Sequence, residues 1–471
     1  MPANLPRMII SALKGDSGKT MLSIGVVSAL REKSYKVATF KKGPDFIDAG
    51  WLSFVSARPC YNLDPFLMTK EQILNSFLVN SSTADISLIE GNRGLFDGLD
   101  LEGQCSTAEL AKTLKTPVFI IVDVTMVTRT AAALIMGCQK FDPDLEITGI
   151  ILNRVGGFRH QSLIRNSIEK YCDVPVVGAI PKLKGNMFPE RHMGLVPHIE
   201  RTYAAKAVEW ARKVVEENVD LDRIREIACK AKALHQSPQV EYHESPVTFG
   251  GKSLRIGIIR DKAFWFYYPE NLDHLRHMGA ELVEINSMID SKLPELDALY
   301  IGGGFPEMQA HALASNSEFR TSLRLAIERG LPVYAECGGL IYLGEDLIAD
   351  HKTYPMVGAI PMKFLMEKKP QGHGYTVLEV CGENPFYSPG TVLKGHEFHY
   401  SKPLPKAHAK IPSVFKVIRG QGLDGSSDGV VRKNLLATYS HVHARGNKLW
   451  GKGLFSAAID FRKLGEKKFS E

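Results

Sequence analysis

The stretch KGDSGKT, residues 14–20, decides the fold of the first half of the chain. It follows a short apolar run, residues 8–13, and leads into a segment with helical spacing, residues 20–31. A glycine-bearing loop between a strand and a helix presents backbone N–H groups at the helix N-terminus, where anions bind. In such loops the final lysine and threonine, here Lys19 and Thr20, contact phosphate oxygens and Mg²⁺. We therefore predict a nucleoside triphosphate site in this loop.

The loop departs from the usual G-x-x-x-x-G-K-[ST] pattern at its first position. Leu13 stands where the first glycine is expected, and Lys14 follows it, while Gly15 and Gly18 still let the backbone approach a phosphate closely. The form K-G-x-x-G-K-T resembles the deviant Walker A loop of the ATPase group that includes the nitrogenase iron protein and dethiobiotin synthetase. Some members of that group use the extra lysine across a dimer interface, so Lys14 also raises the expectation of a homodimer.

Composition narrows the class of protein. The chain has 471 residues, of which 44% are hydrophobic and 23% charged, with a net charge of +6. This length accommodates two or three domains, and no apolar run is long enough to predict a membrane span. No dense Lys/Arg tract accompanies the charge, so we expect no nucleic-acid partner. The seven scattered cysteines include no C-x-x-C pair, which argues against disulfides and zinc and favours a cytoplasmic location.

The hydrophobic pattern predicts two α/β domains. In the first half, apolar segments alternate with helical ones, and this alternation predicts a mostly parallel sheet flanked by helices. A polar segment rich in Pro and Gly then separates this half from a new α/β pattern. We expect a first domain over residues 1–235, a linker over 236–253 and a second domain over 254–471. The predicted strands of the first half are 8–13, 36–40, 86–90, 118–124, 147–152 and 174–180.

Acidic residues follow the predicted strands of the first half. Glu90 ends the strand 86–90, Asp45 and Asp48 lie in KKGPDFID, and Asp97 lies in EGNRGLFDG. Ligands bind at the carboxyl ends of strands in parallel sheets, so we expect these acids near the phosphate loop. There they would hold a metal ion or orient an attacking carboxylate. The expected metal ligands are Thr20, Asp45 and Glu90.

Two further positions of the first half are candidates for binding. Asn153 follows the strand 147–152 and occupies the position of a base-reading residue in the ATPase group named above. Arg191 and His192, in PERHMGLVP, are basic residues that could meet a polyanionic substrate. Together with Lys14, Gly15, Gly18, Lys19 and Thr20, Asn153 completes the predicted ATP-binding set.

The second half carries a cysteine at a tight turn. In LPVYAECGGLIYLGEDL, Cys337 lies between an apolar strand and a helix, with Ala335 and Gly339 two residues away on either side. A nucleophile elbow needs small residues at these positions, and we expect the helix N-terminus to lower the thiol pKa. The N–H of Gly338 and that of Gly303, in GGGFPE, are the predicted oxyanion hole.

A cysteine nucleophile needs a base, and several histidines are available. ATYSHVHA, near the C-terminus, contains His441 and His443, of which we expect only one to reach the thiol and prefer His441. The segment GHEFHYS supplies His396, Glu397 and His399 as further candidates. A structural role is the commoner one for any single histidine among these.

The ordered motifs together resemble those of one enzyme family. KKGPDFID, NLDPF, EGNRGLFDG, ERHMGLVP, FWFYYPEN, GGGFPE, YAECGGLIYL and GHEFHYS resemble those of the cobyrinic acid a,c-diamide synthase family. The resemblance runs from about residue 8 to about residue 461. It implies a dethiobiotin-synthetase-like ATPase domain followed by a class I glutamine amidotransferase-like domain.

The resemblance implies an activity and roles for the candidate residues. Cys337 would be the glutaminase nucleophile and His441 its base, while the acids of the first half would serve ATP, Mg²⁺ and the reaction intermediate. The implied reaction is ATP-dependent amidation of the a and c acetates of cobyrinate through acyl phosphates, with L-glutamine as nitrogen donor. The family's usual H-x-E is here His441-Val442-His443, so the third member of the triad is open, and His443 could orient the base.

Other readings of the same motifs stay open at this point. The macrocycle could instead be hydrogenobyrinate or nickel-sirohydrochlorin. Lys14 also fits a non-amidating ATPase switch, and a glutamine-binding regulatory module is a third reading. A switch would hydrolyse ATP without releasing glutamate from glutamine. The sequence leaves open which tetrapyrrole acid is used, the order of amidation and the oligomeric state.

Overall fold

The computed structural model of the chain describes residues 5–183, 185, 188, 190–191, 194–195, 201–234, 253–405 and 412–468. It divides into two compact units, Met1–Val240 and Glu241–Glu471. Apart from Ser253, the expected linker at 236–253 lies outside the described residues, and so does His192. Within the described part, no helix is both long enough and apolar enough to cross a membrane.

The first unit is built on a parallel sheet of seven described strands. Their order is β3-β2-β4-β1-β5-β6-β7, and every adjacent pair is parallel. Every residue of β1 and β2 is buried, as expected for parallel strands covered on both faces. The strands are β1 (Arg7–Ala12), β2 (Val37–Lys42), β3 (Cys60–Leu63), β4 (Ile86–Glu90), β5 (Val118–Asp123), β6 (Ile147–Val155) and β7 (Val176–Pro181), with a short antiparallel pair, β8 (Glu190–Arg191) and β9 (Gly194–Leu195).

Helices connect these strands, and the predicted α/β alternation is confirmed. The described helices are α1 (Lys19–Glu32), α2 (Ile47–Ser56), α3 (Lys70–Ser81), α4 (Thr107–Thr113), α5 (Thr130–Phe141), α6 (Phe158–Cys172), α7 (Arg201–Asn218) and α8 (Leu221–Cys229). The α1 helix follows the phosphate loop and packs against α7. Gly25 permits this contact, because a Cβ atom there would lie 2.5 Å from the carbonyl oxygen of Ala211. A close approach of two backbones therefore fixes α1, and with it the loop that precedes it.

The second unit contains a mixed sheet of ten described strands, in the order β12-β10-β13-β15-β24-β23-β22-β19-β20-β25. The pairs from β12 to β24 are parallel, and those from β24 to β25 are antiparallel. The strands of the unit are β10 (Leu254–Ile259), β11 (Phe264–Phe266), β12 (Ala280–Ile285), β13 (Ala298–Ile301), β14 (Gly303–Gly304), β15 (Val333–Glu336), β16 (Asp346–Ala349), β17 (Lys352–Pro355), β18 (Met362–Met366), β19 (Gly372–Val380), β20 (Val392–His399), β21 (Ser401–Pro405), β22 (Ser413–Arg419), β23 (Ser427–Arg432), β24 (Leu435–Thr438) and β25 (His441–Val442).

Two apolar cores cover the faces of this mixed sheet. Along β13, Leu299 and Ile301 enter one core, while Ala298 and Tyr300 enter the other, as the two-residue repeat of a strand requires. The helices of the unit are α9 (Pro269–His277), α10 (Ala310–Ser315), α11 (Ser317–Glu328), α12 (Gly338–Leu343) and α13 (Lys448–Lys468), with a 3₁₀ helix at Pro306–Gln309. The fold class predicted for this half, an α/β amidotransferase-like domain, is confirmed.

The packing of α1 on α7 leads to a testable difference between two glycines. Gly25→Ala should lower the free energy of unfolding by about 1–3 kcal/mol, because its methyl group overlaps the backbone of Ala211. Gly137 in α5 is the matched control, because a Cβ atom there meets nothing within 4 Å. Gly137→Ala should raise the stability by about 0.5–1 kcal/mol, since alanine favours the helix. Chemical denaturation followed by circular dichroism measures both, and equal shifts would contradict the close contact.

Candidate functional site

The phosphate loop joins β1 to α1 and surrounds the amine of Lys19. Gly18, just before the helix, has a φ angle of 91°. The Nζ atom of Lys19 donates to the carbonyl oxygen of Arg93 at 2.8 Å and to that of Lys14 at 3.4 Å. Burial, together with the positive charge of Lys41, lowers the pKa of Lys19. The loop thus holds a buried cation at the start of a helix, as a phosphate site requires.

A cavity of about 840 Å³ opens above this loop. Its walls include backbone and side chains from the ends of several strands, together with Phe188 and Trp210 as apolar surfaces. This is the position at which parallel sheets bind their ligands. The predicted residues that line it are Gly15, Gly18, Lys19, Thr20, Asp45, Asp48 and Asn153.

A buried lysine links the acids at the base of the cavity. The Nζ atom of Lys41 donates to Asp48 Oδ2 at 2.6 Å and to Glu90 Oε1 at 2.7 Å. The hydroxyl of Thr20 donates to the same Glu90 oxygen at 3.0 Å. Burial alone would lower the pKa of Lys41, but the charges of Asp48 and Glu90 hold it well above its usual value. Sequence reasoning missed Lys41, although a lysine near the end of an otherwise apolar strand was the available signal.

The two aspartates of KKGPDFID differ in their protonation. Burial and the neighbouring charge of Asp48 raise the pKa of Asp45 to about 7, and Asp45 Oδ1 accepts the N–H of Asp48 at 2.9 Å. Burial would also raise the pKa of Asp48, but the charge of Lys41 holds it below its usual value. Asp48 is therefore the charged member of the pair, and Asp45 is poised to exchange a proton near neutral pH.

The fit of a magnesium ion can be tested on this cluster. Among the described residues, no group of three or more His, Cys, Asp or Glu side chains is spaced to hold a metal ion. Mg²⁺ in nucleotide sites, however, uses one or two carboxylates and completes its shell with phosphate oxygens and water. The Oε2 atom of Glu90 is buried and has no hydrogen-bond partner in the described part of the chain. With the nearby hydroxyl of Thr20, this open acceptor fits a cation.

Asn153 lines the cavity and also contacts the phosphate loop. Its Nδ2 atom donates to the carbonyl oxygen of Ser17 at 2.9 Å, and its Oδ1 atom accepts the N–H of Arg154 at 2.9 Å. Both ends of the amide are thus engaged by backbone groups. In this structure Asn153 holds the loop against β6, and its expected contact with a base stays a prediction.

Lys14 and Asp97 lie apart from the cluster of acids. The side chain of Lys14 is 69% exposed, and its Nζ atom lies 3.7 Å from Asp123 Oδ2. Asp97 Oδ2 accepts the N–H of Gly94 at 2.8 Å, which closes a turn within EGNRGLFDG. Neither is among the described residues that line the cavity. Asp97 therefore shapes the loop that carries Arg93 toward Lys19.

In the second unit, Cys337 occupies a strained turn between β15 and α12. Its φ of 48° and ψ of −99° are unusual for a residue with a side chain. The thiol is buried and lies 3.7 Å from the carbonyl oxygen of Phe398. Small neighbours and a strained backbone are the properties of a nucleophile elbow. The geometry thus agrees with the role expected for this cysteine.

The expectation that the helix N-terminus lowers the pKa of Cys337 is wrong. Burial raises the thiol pKa well above its usual value, and the negative charge of Glu307 adds to this. The N–H of Gly338, at the start of α12, acts in the opposite direction, but its effect is smaller. The thiol is consequently protonated at rest, so a nearby base has to remove its proton.

Two glycine segments crowd around the elbow. A Cβ atom on Gly303 would lie 2.4 Å from Cε1 of His441, and one on Gly338 would lie 3.0 Å from the backbone nitrogen of Gly304. Residues 303–304 therefore touch both the imidazole and the residue after Cys337. This shared neighbour brings the predicted nucleophile and base to one place. The predicted oxyanion donors, Gly303 and Gly338, lie at the same place.

His441 and His443 have different partners. The Nδ1 atom of His441 lies 3.4 Å from Oε2 of Glu336, the residue before Cys337. The Nε2 atom of His443 lies 3.5 Å from Oε1 of Glu270. Residues two apart on a regular strand share a face, but β25 ends at Val442, so the chain can turn between the two rings. Sequence reasoning missed Glu336, although its position next to the cysteine was visible.

The alternative bases of GHEFHYS are held by other groups. His396 pairs with His441 across β20 and β25, its ring stacks on that of His441 at 4.9 Å, and its Nδ1 atom lies 3.2 Å from the hydroxyl of Tyr268. Burial, then the proximity of His441, lowers the pKa of His396 well below its usual value. Glu397 accepts the N–H of Gly422 at 2.9 Å. His396 therefore packs beside the preferred base as a neutral ring.

Family models match both halves of the chain. Residues 8–196 match the CobQ/CobB/MinD/ParA nucleotide binding domain. Residues 255–449 match the CobB/CobQ-like glutamine amidotransferase domain. The first range contains the phosphate loop and the acids, and the second contains Cys337 and His441. The two sets of candidate residues thus coincide with the two families' domains.

Curated relatives match over nearly the full chain. A protein of Magnetococcus marinus named cobyrinate a,c-diamide synthase is 42% identical over 452 residues, which are 96% of this chain and 96% of the relative. A protein of the same name from Archaeoglobus fulgidus is 42% identical over 95% of this chain and 96% of its own. One from Dehalococcoides mccartyi is 39% identical over 97% and 99%. With both domain models matched as well, the chain belongs to the cobyrinate a,c-diamide synthase family.

Proposed function

We propose that this chain catalyses the ATP-dependent amidation of the a and c acetate carboxylates of cobyrinate, with L-glutamine as the nitrogen donor. One observation carries the proposal: a phosphate-loop cavity and a cysteine elbow with an adjacent histidine occur in one chain of this family. The cavity supports carboxylate activation, and the elbow supports release of ammonia. The first unit would supply an activated carboxylate, and the second unit would supply the ammonia that reacts with it.

The second unit would generate ammonia. His441 takes the proton of the Cys337 thiol, and the sulfur attacks the side-chain amide carbon of glutamine. The N–H groups of Gly303 and Gly338 would stabilise the oxyanion that forms. The carbon–nitrogen bond then breaks as His441 returns the proton to the leaving ammonia. Water hydrolyses the remaining thioester to glutamate and restores the thiol.

The first unit would activate the acetate. A carboxylate oxygen of the substrate attacks the γ-phosphorus of ATP, the bond to ADP breaks, and an acyl phosphate forms. Lys19 and the backbone N–H groups of the loop would neutralise charge on the transferred phosphoryl group. Ammonia attacks the acyl carbon, phosphate leaves, and a proton is lost to give the amide. The same reaction steps at the second acetate give the diamide.

Mg²⁺ is part of the proposal as the ion that accompanies ATP. Thr20 and Glu90 would hold it, since Glu90 has an open buried oxygen next to the Thr20 hydroxyl. When bound, the ion neutralises phosphate charge. Asp45 was also expected as a ligand; it lines the cavity together with Asp48, and its place among the metal ligands stays a prediction.

The proposal also includes the domain boundaries, a homodimer and a cytoplasmic location. We place the domain boundaries at 1–235, 236–253 and 254–471, which the two compact units support. The exposed Lys14 supports the prediction of a homodimer, and the free state of the seven cysteines supports a cytoplasmic location. A polyanionic contact at Arg191 and His192 stays a prediction, because their side chains lie outside the described residues.

Product masses test the substrate directly. Cobyrinate, hydrogenobyrinate and nickel-sirohydrochlorin are each incubated with the protein, ATP, Mg²⁺ and glutamine. Mass spectrometry should show two successive replacements of a hydroxyl by an amino group on cobyrinate. Double amidation of another macrocycle alone would replace cobyrinate as the substrate. ATP hydrolysis with no glutamate release would instead indicate an ATPase switch.

Loss of the thiol should separate the two nitrogen sources. Cys337→Ala should reduce glutamine-dependent amidation by at least about 10³-fold, because no thioester can form. Amidation with added ammonium chloride should persist, because ammonia then bypasses the elbow. Cys381→Ala, at an exposed cysteine of the same unit, is the matched control and should leave both activities intact. Loss of both activities in a folded Cys337→Ala protein would contradict the separation of the two chemistries.

Loss of the loop lysine should have the complementary effect. Lys19→Ala should reduce amidation from either nitrogen source by about 10²-fold or more, because phosphoryl charge is no longer neutralised. Glutamine hydrolysis by the second unit should remain measurable in a glutamate-release assay. Lys33→Ala, at the other end of α1 where the lysine pairs with exposed Asp222, is the control. Normal amidation by Lys19→Ala would refute the role of the loop.

A further inference from the structure

A buried carboxylate directly precedes the expected nucleophile in the chain and contacts the expected base of the second unit. Glu336 is the last residue of β15, directly precedes Cys337, and is 1% exposed. Its Oε2 atom lies 3.4 Å from Nδ1 of His441. We propose that Glu336 is the positioning residue that orients His441, in place of the glutamate missing from the H-x-E position. This inference rests on the proposed glutaminase reaction and deepens it.

The carboxylate of Glu336 is fixed by two other donors. The hydroxyl of Tyr300 donates to Oε2 at 2.9 Å, and the N–H of Val442 donates to Oε1 at 3.0 Å. Tyr300 and Tyr334 enter the same core, and Glu336, two residues after Tyr334 on β15, is expected on that face of the sheet. Each carboxylate oxygen therefore has a donor before His441 is counted. A buried carboxylate that is hydrogen-bonded in this way is held in position.

A second layer of contacts holds the segment that carries His441. The Nδ2 atom of Asn271 donates to the carbonyl oxygen of Val442 at 2.8 Å and to the hydroxyl of Tyr300 at 3.3 Å. Its Oδ1 atom accepts the N–H of Ala444 at 2.8 Å. Asn271, from the motif FWFYYPEN, thus ties the base-bearing segment to the same tyrosine that anchors Glu336. Glu336, Tyr300, Asn271 and the segment that carries His441 therefore form one connected, buried network.

His443 occupies the H-x-E position but has another environment. Its Nε2 atom lies 3.5 Å from Glu270 Oε1, and its ring packs at 4.6 Å against that of Tyr268. The carboxylate beside the base is that of Glu336, at 3.4 Å. Glu336 is therefore a better candidate than His443 for the residue that orients the base.

The chemistry requires one particular form of the imidazole. When a carboxylate accepts the Nδ1–H of His441, the neutral ring carries its proton on Nδ1 and none on Nε2. Nε2 is then the atom that can take a proton from the thiol. Because burial keeps the Cys337 thiol protonated, this proton transfer is needed before sulfur can attack. The negative charge of Glu336 also stabilises the imidazolium that the transfer creates. Glu336 acts through His441 and need not touch glutamine.

Glutamine hydrolysis by the full-length chain tests the role of Glu336. Glu336→Gln keeps the size of the side chain but removes its charge and favours the wrong imidazole form. We expect kcat for glutamate release to fall about 10²- to 10⁴-fold, while KM for glutamine changes little. A purely structural role would instead disturb KM and stability together with kcat.

A matched control uses another buried carboxylate–histidine pair of the unit. Glu270→Gln makes the same chemical change beside His443, and it should leave kcat near that of the unaltered chain. An equal loss of kcat in both variants would overturn the proposal, as would an unchanged kcat in folded Glu336→Gln.

A milder variant decides the case if Glu336→Gln does not fold. Tyr300→Phe removes one donor from the carboxylate and should lower kcat about 2- to 10-fold without changing KM. An unchanged kcat in that variant would then overturn the proposal. The unaltered chain and Cys337→Ala are assayed alongside, because absent glutamate release by the unaltered chain would refute the proposed function, whereas release unaffected by Glu336 refutes only this inference.

Discussion

The ion pairs of Lys41 with Asp48 and Glu90 are the contacts on which the first site depends. A buried charge is costly unless it is paired, so each of these groups needs the others in place. They connect the end of β2, the start of α2 and the end of β4, while the bond from Thr20 to Glu90 adds the start of α1. The phosphate loop and the acids near it therefore share one electrostatic base, beside a cavity of about 840 Å³.

The second unit also has a buried carboxylate whose partners hold it in place. There a buried carboxylate, Glu336, is held by Tyr300 and Val442 at the end of a parallel strand. In both units the reactive groups follow the carboxyl ends of strands, where the chain turns away and leaves backbone groups accessible. Burial has different consequences for the charged groups of the two units. It strengthens the ion pairs of Lys41, and it raises the pKa of the Cys337 thiol.

Much of the fold and part of each site could be predicted from local sequence. Apolar runs and helical spacing located most strands of the first unit, and small residues around Cys337 indicated the elbow. The strand β3 (Cys60–Leu63) was missed, because four residues with a polar asparagine give no clear alternation. The direction of the Cys337 pKa was wrong, because a helix start is visible in sequence but the burial of the thiol is not.

The sequence by itself determined the phosphate loop, the elbow, the order of the motifs and hence the family, because these depend on residues adjacent along the chain. Only the tertiary structure decided which charges meet: Lys41 with Glu90, His441 with Glu336 and His443 with Glu270. These partners come from separate strands and loops, and their pairing depends on strand order and on which face of a sheet each side chain enters. That information is long-range, so no local pattern carries it.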